Sequence, residues 1–147
     1  MPKFKTFFRV DFADVDHARV VNYSRLLDYF WRIEEEMYRS LDIPYEKLIY
    51  ERNVSFPRVK ISCTFLSPLR FGDVVEGVIC VSRIGKKSIT YRLSIYKKEK
   101  GNKNLKRLVC RGSITSVCVE FLSMKSIPIP KDISLSLLKY KCSKKAC

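Results

Sequence analysis

Apolar residues recur between residues 22 and 41 at Leu26, Phe30, Ile33, Met37 and Leu41. That spacing marks one face of a helix with 3.6 residues per turn. Arg32, Glu35, Glu36 and Arg39 form a polar face between them. Asn22 is suited to cap the start, and Pro44 bars continuation beyond Ile43. Upstream, Phe4 to Phe12 is rich in aromatic and β-branched residues and reads as a first strand, followed by a polar turn over Ala13–Arg19. After about Asn53 the pattern turns to β-structure throughout. "VKISCTFL" alternates in part, and "VVEGVICVSRI" is a long run of β-formers. "KKSITYRLSIY" sets Ile89, Tyr91, Leu93 and Ile95 on one face and Thr90, Arg92 and Ser94 on the other. "IGKK" reads as a hairpin turn with Gly85 available for positive φ, and Lys98–Asn104 as a second exposed turn. "LKRLVCRGSITSVCVEF" reads as one long last strand, "SIPIPKDI" ends the sheet, and a basic tail or short helix follows over 131–147. One strand, one long helix and then four or so antiparallel strands make an α+β plan, a curved sheet around a central helix, in a single domain over residues 1–147.

Composition narrows the class. With 147 residues, 46% hydrophobic and 30% charged, the chain can bury a core and is globular rather than disordered. It holds no run of 18 apolar residues, so no transmembrane helix is expected. "MPKFKTFFRVDF" lacks the apolar core and cleavage site of a secretory signal, which makes the cytoplasm, with reduced thiols, the expected compartment. None of the six cysteines forms a C-x2-C pair, and one histidine leaves a zinc site few partners, so no metal is expected. Cys63, Cys80, Cys110 and Cys118 lie in strand-like runs and read as small core apolars. Cys142 and Cys147 either bridge locally or cap a loose tail.

The net charge of +14 is localised. Val81–Arg111 holds eleven basic residues against one acid, Glu99, and Lys131–Cys147 holds five lysines against Asp132. A concentrated excess points to a polyanionic partner, with a solvated lysine-rich surface as the plain alternative.

The candidate chemistry lies in "VDFADVDHARVVNYSRLLDYF", Val10–Phe30, where Asp14 and Asp16 stand beside the only histidine, His17, just ahead of the helix. Its core "DVDHARVVNYSRLLDYF" resembles the Asp-x-Asp pattern of the hotdog-fold acyl-CoA thioesterases of the 4-hydroxybenzoyl-CoA thioesterase type. "PLRFGD", "RIGKKS" and "SIPIP" resemble further segments of that family in the same order. The resemblance implies a hotdog fold, thioester hydrolysis without a cofactor, coenzyme A as part of the substrate, and self-association as dimers or tetramers. The second aspartate, here Asp16, is then the nucleophile or general base. Physics agrees: a carboxylate just ahead of a helix sits near the positive end of the macrodipole and its free N–H groups. Those N–H groups, by analogy that of Tyr23, can receive a thioester oxygen as it turns anionic.

The plain reading of Asp16 is an Asx-turn or a cap. Asp14 reads as ordering the turn. His17 either bonds Asp16 or sits on the surface, and Asn22 caps the helix or lines the acyl pocket. Arg19 stands where the family usually has glycine, so it alters the turn or brings a cation to the substrate, and "VVNYSRL" departs from the family's usual "VVYHANYL". Coenzyme A carries a 3′-phosphate and a pyrophosphate, about four negative charges at neutral pH. Arg83, Lys86, Lys87, Ser88 and Arg111 are the candidate contacts for them. Leu26, Leu27, Phe56 and Phe65 are candidates to set the acyl preference. Three other functions compete less well. A non-catalytic hotdog module that binds acyl-CoA is favoured by the lost glycine at position 19. Nucleic-acid binding through the basic strands finds only Tyr91 and Tyr96 as aromatics in that stretch. A Ser-His-Asp hydrolase lacks a G-x-S-x-G elbow.

Overall fold

The computed structural model describes residues 3–102 and 104–143. Strand β1 (Phe4–Arg9) leads through a 3-10 turn (Phe12–Asp14) to helix α1 (Tyr23–Ser40), then a short helix α2 (Tyr45–Arg52). The strands β2 (Val54–Ser55), β3 (Arg58–Phe65), β4 (Val74–Ile84), β5 (Ser88–Lys98), β6 (Lys106–Val117) and β7 (Val119–Glu120) follow, with α3 (Lys131–Leu137) near the end. Five strands form one antiparallel sheet in the order β1-β4-β5-β6-β3, and β2 and β7 pair as a separate ribbon. The α+β plan of a curved sheet around one long helix is the hotdog fold.

The chain realises α1 as its periodicity requires. Leu26, Phe30, Ile33 and Met37 are buried, joined by Tyr29 and Tyr38, and Leu41 caps the helix half-buried. Asn22 Oδ1 accepts the Arg25 N–H at 3.1 Å, the N-cap expected of it. The helix rides close to the sheet because two glycines lie beneath it. A Cβ on Gly77 would meet Ile33 at 2.5 Å, and one on Gly112 would stand 3.0 Å from the Phe30 ring and 2.0 Å from the Ser62 carbonyl oxygen. The middle of α1 carries a buried charge. Glu34, fully inaccessible, takes a hydrogen bond from the Tyr45 hydroxyl and pairs with Arg58 of β3 at 2.9 Å. Burial pushes the Glu34 carboxyl up from its ordinary value, and the Arg58 charge pulls it back down. The Arg58 guanidinium also stacks over Trp31, 4.5 Å from the ring centre. Beside this pair the Tyr38 and Tyr91 hydroxyls bond to each other.

Several expectations need correction. A second helix, α2, fills part of the stretch between α1 and the strands. Its Leu48 is its only buried side chain, too little to write a helical stripe into the sequence. The last strand is two: β6 ends at Val117, and β7 leaves the main sheet to pair with β2. Gly85 does not take positive φ; Gly72 (φ +84) and Gly101 (φ +82) do. Gly101 lies in the second turn, where glycine's lack of a Cβ is needed. Cys63, Cys110 and Cys118 are half-buried or buried free thiols as expected, and burial pushes Cys118 up to about 11. Cys80 is buried, but it is not a free apolar: it forms a disulfide with Cys142, 62 residues away. Cys142 is therefore not available to Cys147, which lies outside the described residues. A disulfide belongs to oxidising surroundings, so cysteine usage does not support a reducing compartment for this chain. Among the described residues no helix is long and apolar enough to cross a membrane.

The segment around the disulfide closes a gap. β1 pairs with β4 only from Val74 to Ile79, and beyond it Lys141 forms a parallel bridge to Val81. The Cys142 N–H donates to the Val81 oxygen at 2.8 Å, and Lys141 Nζ donates to the Ser82 oxygen at 2.7 Å.

Candidate active site

The turn ahead of α1 is a short closed loop. Val15 and Val21 bridge across it, the Asp16 N–H donates to the Val20 oxygen at 3.1 Å, and the Arg19 N–H donates to the Asp16 oxygen at 2.9 Å. Asp16 is half-buried, and its Oδ1 accepts the Ala18 N–H at 2.8 Å, an Asx-turn. Arg19 has φ +67, the left-handed region that glycine enters without cost. Asp14 is tied elsewhere: the Tyr29 hydroxyl donates to its Oδ2 at 2.6 Å, which anchors the turn to α1. Burial and then this contact raise the Tyr29 hydroxyl far above its ordinary value.

A cleft of about 380 Å³ opens at the first turn of α1. Val20, Asn22, Tyr23 and Leu26 form one wall, and Phe65 at the end of β3 with Leu66 to Pro68 just past it forms the other. Asn22 caps the helix and also lines this cleft. A helix start leaves N–H groups without intrahelical partners, and the Tyr23 N–H is one of them. Asp16, His17 and Arg19 do not line the cleft; they lie on the loop that leads into it, where the Asp16 N–H bonds the oxygen of the lining residue Val20, and His17 and Arg19 are exposed. Of the four apolar residues expected to shape an acyl pocket, Leu26 and Phe65 line this cleft and Leu27 is half-buried. Phe56 packs instead against Tyr38 in the core, where it borders a cavity of about 80 Å³ beside Arg58. Leu66, Ser67 and Pro68, just past β3, carry no motif; only their place after an edge strand marks them.

The basic candidates do not converge. Arg111 lies on β6 opposite Ser94, near the cleft end of the sheet, because Cys110 beside it pairs with Phe65. Lys86, Lys87 and Ser88 form the β4–β5 hairpin, where Ser88 faces Val117 and Arg83 is exposed nearby. Seven residues of β6 separate that register from Cys110, roughly 23 Å of strand. Among the described residues no group of three histidine, cysteine, aspartate or glutamate side chains gathers as a metal site requires.

The model of the thioesterase-like superfamily matches residues 10–137. Among solved structures the chain is similar to a gentisyl-coenzyme A thioesterase, 25% identical over 91% of this chain and 99% of that one, TM-score 0.78. It shares its fold with a 1,4-dihydroxy-2-naphthoyl-CoA thioesterase from Synechocystis (21% identity, 92% and 95% coverage, TM-score 0.81). The same holds for a 4-hydroxybenzoyl CoA thioesterase variant complexed with 4-hydroxybenzoyl CoA (19% identity, 93% and 99% coverage, TM-score 0.84). With the family matched over most of its length and the hotdog architecture shared along nearly all of it, the chain belongs to the thioesterase-like superfamily and is by family a thioester hydrolase.

Proposed function

We propose that the protein hydrolyses acyl-CoA thioesters, with Asp16 as nucleophile or general base and the Tyr23 backbone N–H as oxyanion donor. The observation that carries this reading is the apolar cleft at the first turn of α1, with Asn22 and Tyr23 in its wall and the Asp16 loop beside it. An acyl chain fits the apolar side formed by Leu26 and Phe65. The thioester oxygen then meets the helix start, where donors and macrodipole favour developing negative charge. Asp16 either attacks the carbonyl carbon, expelling the CoA thiolate and leaving an anhydride for water to cleave, or takes the proton of an attacking water. His17 and Arg19, on the exposed side of the loop, flank the polar part of the substrate. No cofactor enters this chemistry.

The test is a hydrolysis screen over acyl-CoAs of graded length and aromaticity, run beside Asp16→Asn. Loss of the acid–base or nucleophilic group is expected to lower kcat by about a hundredfold or more while acyl-CoA affinity is kept. Full turnover in Asp16→Asn overturns the assignment. The second reading, a module that binds acyl-CoA without turnover, draws on two observations. Arg19 holds the left-handed position, and one Asp16 oxygen already serves the loop. It predicts binding with no hydrolysis of any acyl-CoA in the wild-type protein.

Self-association belongs to the same reading. β3 is an edge strand on which Val59, Ile61 and Phe65 are exposed, beside a row of backbone groups free to pair. Sedimentation equilibrium at micromolar concentration is expected to give a dimer or larger, and a strict monomer there removes the joined-sheet arrangement.

A further inference from the structure

The main sheet has two faces, and α1 covers one of them. Ile89, Tyr91, Leu93 and Ile95 of β5 are buried on that side, so alternation turns the residues between them outward. The register carries the outward set across the other strands. Lys5 stands opposite Val78 and Phe7 opposite Glu76, Glu76 opposite Tyr96, and Lys98 opposite Lys106. Lys60 stands opposite Thr115 and Thr64 opposite Arg111. Arg92 apart, the outward positions of the described strands include Lys5, Arg9, Lys60, Lys98, Lys106 and Arg111 against one acid, Glu76. Six against one leaves an excess of five positive charges on this face. Lys5, Lys98 and Lys106 share the single carboxylate at 3.5, 3.7 and 3.1 Å, so even that cluster stays net positive.

The ground between the bases is hydroxylated. Ser62 bonds Ser113 at 2.8 Å and Thr90 bonds Thr115 at 3.0 Å across the strands. Such a face has little apolar area to bury against a second copy, and two copies of it repel. One corner differs. Phe12 and Phe71, 75% and 61% exposed, meet edge to face at 5.5 Å, and Phe7 on β1 is also exposed. The loop that carries Phe71 is stitched to the end of β1. Arg9 Nη1 donates to the Gly72 oxygen at 3.0 Å, and the Gly72 N–H donates to the Val10 oxygen at 3.1 Å. Large apolar rings thus stand in water at the border of a basic field, the combination that a lipid interface accepts.

We infer that the outer face of the sheet docks the protein on an anionic lipid bilayer, with its bases on the headgroups and the phenylalanine corner entering among them. Docking of this kind needs no spanning segment, and it does not depend on the acyl-CoA reading. The shape of the charge selects the partner. The bases run from β1 to β3, four strand spacings or about 19 Å, and so cover an area, whereas a single nucleic-acid strand needs a track. Tyr96, the aromatic set amid the bases, is already covered by Lys106 Nζ at 4.2 Å, so a nucleobase finds no stacking platform there.

The test is co-sedimentation of the whole protein with vesicles of phosphatidylcholine alone or of an equal mixture of phosphatidylcholine and phosphatidylserine. Binding is expected to the mixed vesicles only, and to weaken as salt rises. Lys5→Gln with Lys60→Gln, exposed positions on opposite borders of the face, is expected to weaken that binding about thirtyfold, about fivefold for each basic residue. Glu76 keeps Lys98 and Lys106 in that variant. Lys47→Gln with Lys131→Gln removes the same charge from exposed positions on the helices and is expected to change binding little. Phe12→Ser with Phe71→Ser is expected to abolish the part of the binding that survives high salt, since apolar insertion is not screened. Equal binding to both vesicles, or none to the mixed ones, overturns the inference. Equal weakening by the two lysine pairs shows attraction by net charge alone and overturns the face. A single-stranded oligonucleotide or polyglutamate that binds more tightly than the mixed vesicles, with the same dependence on Lys5 and Lys60, overturns the lipid in favour of a nucleic acid or an acidic protein.

Discussion

Replacing Arg58 by methionine is expected to destabilise the protein by about 3–5 kcal/mol, the cost of leaving a buried partner charge alone. Glu34 is fully inaccessible on the central helix, and among the described residues Arg58 is its cationic partner, at 2.9 Å. The Tyr45 hydroxyl cannot neutralise a carboxylate by itself. The substitution also removes the guanidinium from the face of Trp31. Equilibrium denaturation in urea reads the effect as a shifted midpoint at an unchanged slope. The double variant Glu34→Gln with Arg58→Met is expected to recover most of the loss, since an uncharged amide can be held by Tyr45 without a counter-ion. A single Arg58→Met variant within 1 kcal/mol of wild type means that Glu34 is not isolated from water by this packing.

Gly112→Ala is expected to be the second large effect, about 3 kcal/mol, at the upper end of what overpacking costs. The added methyl would lie 2.0 Å from the Ser62 carbonyl oxygen, and that oxygen is backbone of the paired strand β3. Relief requires β3 and β6 to part, which costs ladder hydrogen bonds at an edge strand with no second neighbour. Gly77→Ala serves as the comparison. The nearest atoms to its methyl belong to side chains, Ile33 at 2.5 Å and Thr6 at 3.5 Å, and a side chain can turn where backbone cannot, so a smaller loss is expected there. Thermal melts of the two variants side by side measure the difference; equal losses mean that β3 gives way as easily as a side chain.

These two positions also mark where the sequence could be read and where it could not. The helix was legible because Leu26, Phe30, Ile33 and Met37 repeat at its period, and β5 because its alternation is clean. Glu34 was not, since a charge at a buried helix position looks like any polar residue until Arg58 arrives from a strand 24 residues on. The Cys80–Cys142 pair was hidden for the same reason of distance along the chain. α2 escaped because one buried leucine carries no period. At the site, Asn22 was legible as a cap from its chemistry. That Arg19 would take positive φ has no signal in its own chemistry, since arginine gains nothing in the left-handed region. The Phe65–Pro68 wall of the cleft has no local signature, because the cleft exists only where that segment meets the start of α1, far back along the chain.

The two rims of the sheet are unequal. β1 offers six residues guarded by Lys5 and Arg9, and the stretch of β4 that it leaves bare is occupied by the Lys141–Cys142 segment. β3 offers eight residues, and beside Lys60 its exposed side chains include Val59, Ile61 and Phe65. A molecule with one adhesive border and one blunted border has a valence of one for strand-to-strand growth. The self-association proposed above would therefore end, along that direction, with one joined pair of sheets instead of running on as a filament.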